Sequence, residues 1–287
     1  MRLRADLATI RENAEMQMPK AMVTGANGGI GRALVKDLSR RGYRLIVHAR
    51  TQEKARDVAA GVHTPVWGDL AKPDELEGVA GQVRSNTAQL DLLVHNAGVL
   101  TRSREKGGHG LGLQGEVNVL APAKLTQLLM PVLRKGESPS VLIVSSGVVT
   151  MSRRNDYEAL AEPDGSSLFG HYALSKSAAN RLTLDLAKAY PDVRFVSVEP
   201  GFVSTNMTVG NASMPKLMGW LAPKVGTAPD KAARRLLDTA LNDAPSGTVL
   251  NGTRRVTSGS WTRDGARENL AKLLKRAGVQ VGDLTPA

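Results

Sequence analysis

A tyrosine and a lysine, Tyr172 and Lys176, stand four residues apart, so a helix would place both on one face. A free phenol has a pKa of about 10 and is a poor base at neutral pH, whereas a neighbouring ammonium stabilises the phenolate and lowers that pKa. The pair therefore suits general acid–base catalysis, and the ammonium can also hold a ribose hydroxyl. The alternative is a pair of solvated side chains, since this spacing is common on helix surfaces.

A glycine-rich turn at residues 23–31 joins the apolar run at 21–23 to a segment with Leu34, Val35 and Leu38 at helical spacing. This context suits a dinucleotide pyrophosphate, because glycines let phosphate approach the backbone and the helix start directs N–H groups at it. The spacing is G-x-x-x-G-x-G rather than the usual G-x-G-x-x-G, so a turn that binds nothing is the alternative. The predicted cradle consists of Gly25, Asn27, Gly28, Gly29, Ile30 and Gly31.

Three residues that follow predicted strands can select the nucleotide. An NAD site usually carries an acid after the second strand, and Arg50 stands there instead, where it can clamp the 2′-phosphate of NADP. After the third strand, Asp69 can accept a hydrogen bond from the adenine amino group, with Leu70 beside it. The alternatives are a solvated arginine at a helix start and a helix-capping aspartate.

Two further strands are followed by small or hydroxyl residues. Asn96, Ala97 and Gly98 can form a floor on which a cofactor lies, or an ordinary turn. The fifth predicted strand leads into Ser145, Ser146 and Gly147. A serine hydroxyl is therefore expected at the carboxyl end of this strand, like the residues that follow the other strands.

The elements that must position these residues alternate between strand and helix. This order predicts a doubly wound parallel α/β sheet with helices on both faces, formed as a single domain. A polar lead-in at 1–19 with apolar residues at helical spacing is predicted to be dispensable, and a segment at 256–287 to be a helical tail on the same domain. The predicted strands, about seven, are 21–23, 45–47, 64–67, 90–95, 141–144, 193–198 and 248–250. The predicted helices follow residue 31 and lie at 52–60, 73–86, from the glycine-rich stretch 107–112 to about 134, 170–190, after Pro229 and at 263–276.

Composition limits the function classes. The chain has 38 basic and 27 acidic residues, a net charge of +11, which is compatible with an anionic ligand, nucleic acid, an acidic membrane surface or a solubilising surface. The arginines are scattered and only three Trp, four Tyr and three Phe occur, so we expect no nucleic-acid partner. No apolar run approaches the roughly 20 residues of a membrane span. The absence of cysteine excludes thiolate metal sites, and we expect no metal and a cytoplasmic location.

Taken together, these motifs resemble those of the short-chain dehydrogenase/reductase family over about residues 20–255. The matching segments are the glycine turn, Asn96-Ala97-Gly98, Asn118, Ser146, Tyr172-x-x-x-Lys176 and Pro200-Gly201-x-Val203-x-Thr205. The resemblance implies a Rossmann-type fold and hydride transfer between NADP(H) and a carbonyl or alcohol. It implies that Ser146 polarises the substrate oxygen, Tyr172 is the acid or base, Lys176 lowers its pKa, and Asn118 holds a proton-relay water. Residues 200–205 would surround the nicotinamide, with Thr205 near the carboxamide or the pyrophosphate.

The chain departs from the common family pattern between Ser146 and Tyr172, which lie 26 residues apart, so 152–167 form an extra segment beside the site. This longer spacing resembles that of the retinol dehydrogenase-like and protochlorophyllide reductase-like branch. So do the Ala-Arg end of the second strand and the Ser-Gly pair near the last strand, here Ser246-Gly247. That branch largely uses NADP.

The predicted substrate wall is the segment 207–223, where glycines and prolines flank methionine and tryptophan. This composition favours a mobile apolar lid that covers a bound hydrophobic carbonyl or alcohol. Ordinary core packing is the alternative. A catalytically silent NADP(H)-binding sensor or scaffold protein is the alternative function, and the oligomeric state stays open between monomer and homo-oligomer. The apolar members of the wall are Met214, Leu217, Met218, Trp220 and Leu221.

Overall fold

The structure is a computed structural model that describes residues 18–163, 168–203, 226–242 and 244–279. Two predicted segments lie outside the described residues: most of the lead-in, and the substrate wall at 207–223 together with Thr205. Within the described residues, eight strands form one sheet: β1 (Lys20–Val23), β2 (Arg44–Ala49), β3 (Thr64–Trp67), β4 (Leu92–His95), β5 (Ser140–Val144), β6 (Arg194–Glu199), β7 (Thr248–Asn251) and β8 (Arg254–Arg255).

Seven helices of eight residues or more occur in the described part of the chain. Their ends lie within a few residues of the predicted ones. The exception is the start of α4, where a π-helical segment stands in place of the predicted helix. They are α1 (Gly29–Arg40), α2 (Gln52–Ala59), α3 (Pro73–Asn86), α4 (Ala121–Leu133), α5 (Leu168–Ala189), α6 (Pro229–Leu241) and α7 (Ala266–Arg276). None of these described helices is long and apolar enough to span a bilayer.

The strand order is β3-β2-β1-β4-β5-β6-β7-β8, with β1 to β7 parallel and β8 antiparallel to β7. The prediction of a doubly wound parallel sheet is confirmed. The strand count exceeds the prediction by one, because β8 comprises only two exposed arginines and has no hydrophobic alternation to reveal it. The order reverses between β1 and β4, where ligands of such sheets gather at the carboxyl ends.

Both faces of the sheet are buried, as a parallel sheet requires. Successive side chains of β1 illustrate the alternation: Met22 packs into the core under α3, α4 and α5, and Val23 packs into the core under α1 and α6. The helix α7 adds Leu270, Leu273 and Leu274 to the first of these cores. The cores on the two faces therefore hold the strands in place, and with them the residues that follow the carboxyl ends of these strands.

The extra segment between Ser146 and Tyr172 contributes to the core rather than lying loosely on the surface. Its 3₁₀ turn, Tyr157–Ala161, buries Tyr157 completely and is covered by α7. The carbonyl of Leu160 accepts from the backbone N–H of Gly112 at 3.0 Å, and a Cβ on Gly115 would lie 2.8 Å from that oxygen. The segment therefore fixes the chain that leads into α4.

Candidate active site

Three of the predicted catalytic side chains meet where β5 ends against the first half of α5. The side chain of Ser146 lies beside the phenol of Tyr172 and acts to lower its pKa. The Nζ atom of Lys176 lies 5.7 Å from the centroid of the Tyr172 ring and donates to the carbonyl of Val144 at 2.9 Å. Tyr172 is 8% exposed and Lys176 is 5% exposed, so the cluster is largely shielded from water.

Burial dominates the titration of this pair. It raises the pKa of Tyr172 to about 12, although the side chain of Ser146 acts in the opposite direction. It lowers the pKa of Lys176 to about 8. In this arrangement the ammonium of Lys176 is directed at the carbonyl of Val144, and desolvation is the largest effect on the pKa of Tyr172, so the role of Lys176 in lowering that pKa stays a prediction.

Asn118 lies in a π-helical segment, Glu116–Leu120, rather than in a continuous long helix as predicted. Pro122 has no N–H with which to donate to the main-chain oxygen of Asn118, four residues earlier, so α-helical bonding cannot run through this point. A single helical turn, Leu113–Gly115, precedes the segment, and α4 follows it. The irregular backbone therefore has a cause that can be read in the sequence.

The side chain of Asn118 joins three parts of the site. Its Oδ1 accepts from the N–H of Val99 at 2.8 Å, and its Nδ2 donates to the carbonyl of Val99 at 2.9 Å and to Oγ of Ser175 at 3.0 Å. Ser175 Oγ donates in turn to the carbonyl of Tyr172 at 2.8 Å. The amide thus ties the loop after β4 to the helix that carries the tyrosine.

The loop after β4 is also fastened to the end of β1. Nδ2 of Asn96 donates to the carbonyls of Thr24 and Gly25 at 2.9 and 3.1 Å. The hydroxyl of Thr24 accepts from the N–H groups of Asn96 and Ala97 at 3.1 and 3.0 Å. A Cβ on Gly98 would lie 3.2 Å from Oδ1 of Asn118, so only a small residue lets the floor pass beneath the amide.

Sequence reasoning placed Thr24 and Ser175 in their motifs but assigned neither a role in the site. Both have small hydroxyl groups that bond to neighbouring backbone. The sequence signal for each was its position: Thr24 directly precedes Gly25, and Ser175 lies between the predicted catalytic tyrosine and lysine. Only the packing of β1 against β4, and of the π-helical segment against α5, reveals their partners.

The glycine turn has the shape of an anion cradle. Gly25 adopts φ +62°, and a Cβ on Gly31 would lie 2.2 Å from the Gly25 oxygen, so both positions require glycine. The first turn of α1 has no acidic residue, and the N–H groups of Gly29, Ile30 and Gly31 have no acceptor among the described residues. These donors fit a pyrophosphate.

Arg50 is exposed directly after β2 and has no ion-pair partner within the described part of the chain, so its guanidinium is available to a phosphate. Oδ1 of Asp69 accepts from the N–H of Ala71 at 3.0 Å, which is a local turn bond and not a cap on α3. Leu70 is buried beside it.

The end of β6 leads into the remaining predicted cofactor residues. Pro200 is followed by Gly201 with φ +82°, and Val203 is buried and forms a parallel bridge with Thr227. Gly201 and Val203 therefore reach the same carboxyl edge as Ser146, while Thr205 lies outside the described residues.

Comparison with known proteins agrees with this arrangement. Residues 19–216 match the family described as short chain dehydrogenase. The human dehydrogenase/reductase SDR family member 12 is 30% identical over 209 residues, which cover 68% of this chain and 65% of that protein. This chain therefore spans slightly less than two thirds of that relative's length.

Two further similarities bear on the branch and the fold. Human retinol dehydrogenase 11 is 28% identical over 232 residues, covering 77% of this chain and 72% of that protein. A solved structure from Escherichia coli CFT073, described as a short chain dehydrogenase complexed with NADPH, is 26% identical with a TM-score of 0.63, covering 82% of this chain and 97% of that one.

Proposed function

The chain belongs to the short-chain dehydrogenase/reductase family, in its retinol dehydrogenase-like branch, and we propose that it is an NADP(H)-dependent oxidoreductase acting between carbonyl compounds and alcohols. The proximity of Ser146, Tyr172 and the ammonium of Lys176, which lies 5.7 Å from the centroid of the Tyr172 ring, is the observation that carries the proposal. These groups can supply a proton and polarise an oxygen, which are the two needs of such a reaction.

NADPH, when bound, supplies the hydride to the carbonyl carbon. The turn 25–31 holds the pyrophosphate, Arg50 the 2′-phosphate, and Asp69 and Leu70 the adenine. The floor 96–98 and Lys176 would hold the nicotinamide ribose, and the segment 200–205 would contact the nicotinamide. The unpaired helix donors, the free guanidinium of Arg50 and the NADPH complex of the Escherichia coli protein support this assignment.

The hydroxyl of Ser146 donates to the substrate oxygen, and Tyr172 transfers the proton. Because burial raises the pKa of Tyr172 to about 12, the phenol is protonated at neutral pH and can act as the acid in carbonyl reduction. The ammonium of Lys176 stabilises the phenolate that remains. Asn118 holds a relay water through its main-chain oxygen, which Pro122 leaves without an α-helical donor.

The substrate is a hydrophobic carbonyl or alcohol, as the apolar composition of 207–223 favours. We also propose that the protein acts in a reducing compartment such as the cytoplasm, with which the absence of cysteine is compatible.

The test is NADPH oxidation with a panel of aliphatic, aromatic and polyene aldehydes and ketones, comparing the wild type with Tyr172→Phe. Because acid–base catalysis contributes about 10²- to 10⁴-fold, the variant should lose turnover by that factor. NADPH binding, followed by its fluorescence, should stay within about twofold, since the phenylalanine ring keeps the packing. Turnover that survives the substitution would refute the assignment of Tyr172, and failure of the wild type to bind NADPH would refute the proposed cofactor.

A further inference from the structure

A buried histidine joins the turn proposed to hold the pyrophosphate to the turn proposed to hold the adenine. Nδ1 of His48 accepts from the backbone N–H of Gly25 at 3.2 Å, and Nε2 lies 2.9 Å from the carbonyl of Gly68. His48 lies on β2 and is 3% exposed. Its main chain takes part as well, because its carbonyl accepts from the N–H of Ala26 at 2.8 Å.

The two hydrogen bonds determine the tautomer of the ring. A backbone N–H can only donate, so Nδ1 must be the acceptor, and a carbonyl can only accept, so the proton lies on Nε2. Protonation of Nδ1 would bring two donors face to face. Burial lowers the pKa of His48 to about 4 and keeps the ring neutral, although the Gly68 carbonyl and the charge of Asp69 act in the opposite direction.

The glycines at both ends of this bridge occupy positions where a side chain would not fit. Gly25 is the left-handed residue whose oxygen lies against Gly31, so its position determines how closely the turn approaches α1. Gly68 has φ +158°, and a Cβ there would lie 2.8 Å from the carbonyl of Glu75. Gly68 directly precedes Asp69 and Leu70, the proposed adenine contacts.

We propose that His48 is a positioning residue for the dinucleotide: its imidazole holds the turn at Gly25 at a fixed separation from the turn at Gly68, and so pre-organises the pyrophosphate and adenine subsites. The inference rests on the proposed function. An apolar side chain at this place would fill the space but leave both turns without their link, and part of the binding free energy would then be used to order them.

The test compares NADPH affinity in His48→Leu and His48→Asn. The leucine removes both hydrogen bonds, and we expect the Kd for NADPH to rise about tenfold or more, with kcat at saturating NADPH within about twofold of the wild type. The asparagine places an acceptor oxygen where Nδ1 was but does not reach the carbonyl of Gly68, so it should recover only part of the affinity. The matched control is Thr126→Val, which removes the hydrogen bond of another buried histidine. In the wild type, Oγ1 of Thr126 lies 2.8 Å from Nε2 of His95, at the end of β4.

A second measurement needs no cofactor. Amide hydrogen exchange of Gly25 should be faster in His48→Leu than in the wild type and slowed again in His48→Asn, because only the latter retains an acceptor. Equal loss of affinity in His48→Leu and Thr126→Val would assign the effect to general destabilisation and overturn the proposal. So would NADPH binding by His48→Leu that matches the wild type. If the wild type itself does not bind NADPH, the proposed function fails and the role of His48 fails with it.

Discussion

Ser146 lies beside the phenol of Tyr172 although the two residues are 26 positions apart in the sequence. The serine follows β5, the tyrosine lies in the second turn of α5, and the intervening chain forms a buried 3₁₀ turn that packs under α7. The extra length is therefore accommodated in the core, and the two side chains meet as they would with a shorter connection.

The structure predicts that Gly28→Ala weakens NADPH binding without affecting folding. Gly28 adopts ordinary extended dihedral angles, and an added Cβ would meet only the Gly25 oxygen at 3.5 Å, which is a normal contact. The protein itself has no need of glycine here, so the methyl group should obstruct only a bound phosphate. Thermal unfolding should change by a degree or two at most, while the Kd for NADPH rises about tenfold or more. Unchanged affinity would place the pyrophosphate elsewhere.

Arg50→Ala should weaken NADPH binding much more than NADH binding. A charge-assisted hydrogen bond contributes about 1.5–3 kcal/mol, so the expected loss for NADPH is roughly 10- to 100-fold, and NADH has no 2′-phosphate to lose. Arg44→Ala, at the opposite end of the same strand, provides a control of equal charge. Titration of both variants with both nucleotides measures the effect, and equal losses for NADPH and NADH would contradict the phosphate clamp.

Asn118→Leu should reduce both turnover and stability. The substitution breaks two hydrogen bonds to Val99 and one to Ser175, and it leaves the floor loop without its attachment to α5. We expect a cost of about 1–3 kcal/mol for each buried polar group left unpaired. Asn180→Ala is the matched control, because Asn180 Oδ1 accepts from Ser145 and Ser197 in the core. Chemical denaturation should register both variants, whereas turnover should fall strongly only for Asn118→Leu.

The stability of the protein should fall as the pH drops below about 6.5, in part because of His95. Burial lowers the pKa of His95 to about 3, so between these values the unfolded chain takes up a proton that the folded chain does not. Each pH unit within this window costs about 1.4 kcal/mol for one such histidine. The free energy of unfolding of His95→Gln should decline less steeply with falling pH than that of the wild type. Thr126→Val retains the titrating ring and should keep the wild-type slope; a common slope in all three proteins would contradict the assignment.

Much of the candidate site could be predicted because its signals are local. Four-residue spacing places Tyr172 and Lys176 on one helical face, and the strand, turn and helix around Gly25 predict a phosphate cradle, since both follow from backbone geometry over a few residues. The position of Arg50 directly after a buried strand predicts its place at the carboxyl edge in the same way. The π-helical break at Asn118 escaped prediction, although its cause, Pro122, is visible in the sequence.

What the sequence by itself determined about this protein is the alternation of elements, the family and the identity of the polar groups at the strand ends. The tertiary structure alone decided how those groups interact. His48 appears in the sequence as one residue of a hydrophobic strand, and its two partners, 23 and 20 residues away, come within reach only when β1, β2 and β3 pair. Likewise the pKa of Tyr172 depends on how much water the packing removes, and burial raises it. Hydrogen-bond partners and desolvation are properties of the packed sheet, because they depend on atoms that are distant along the chain.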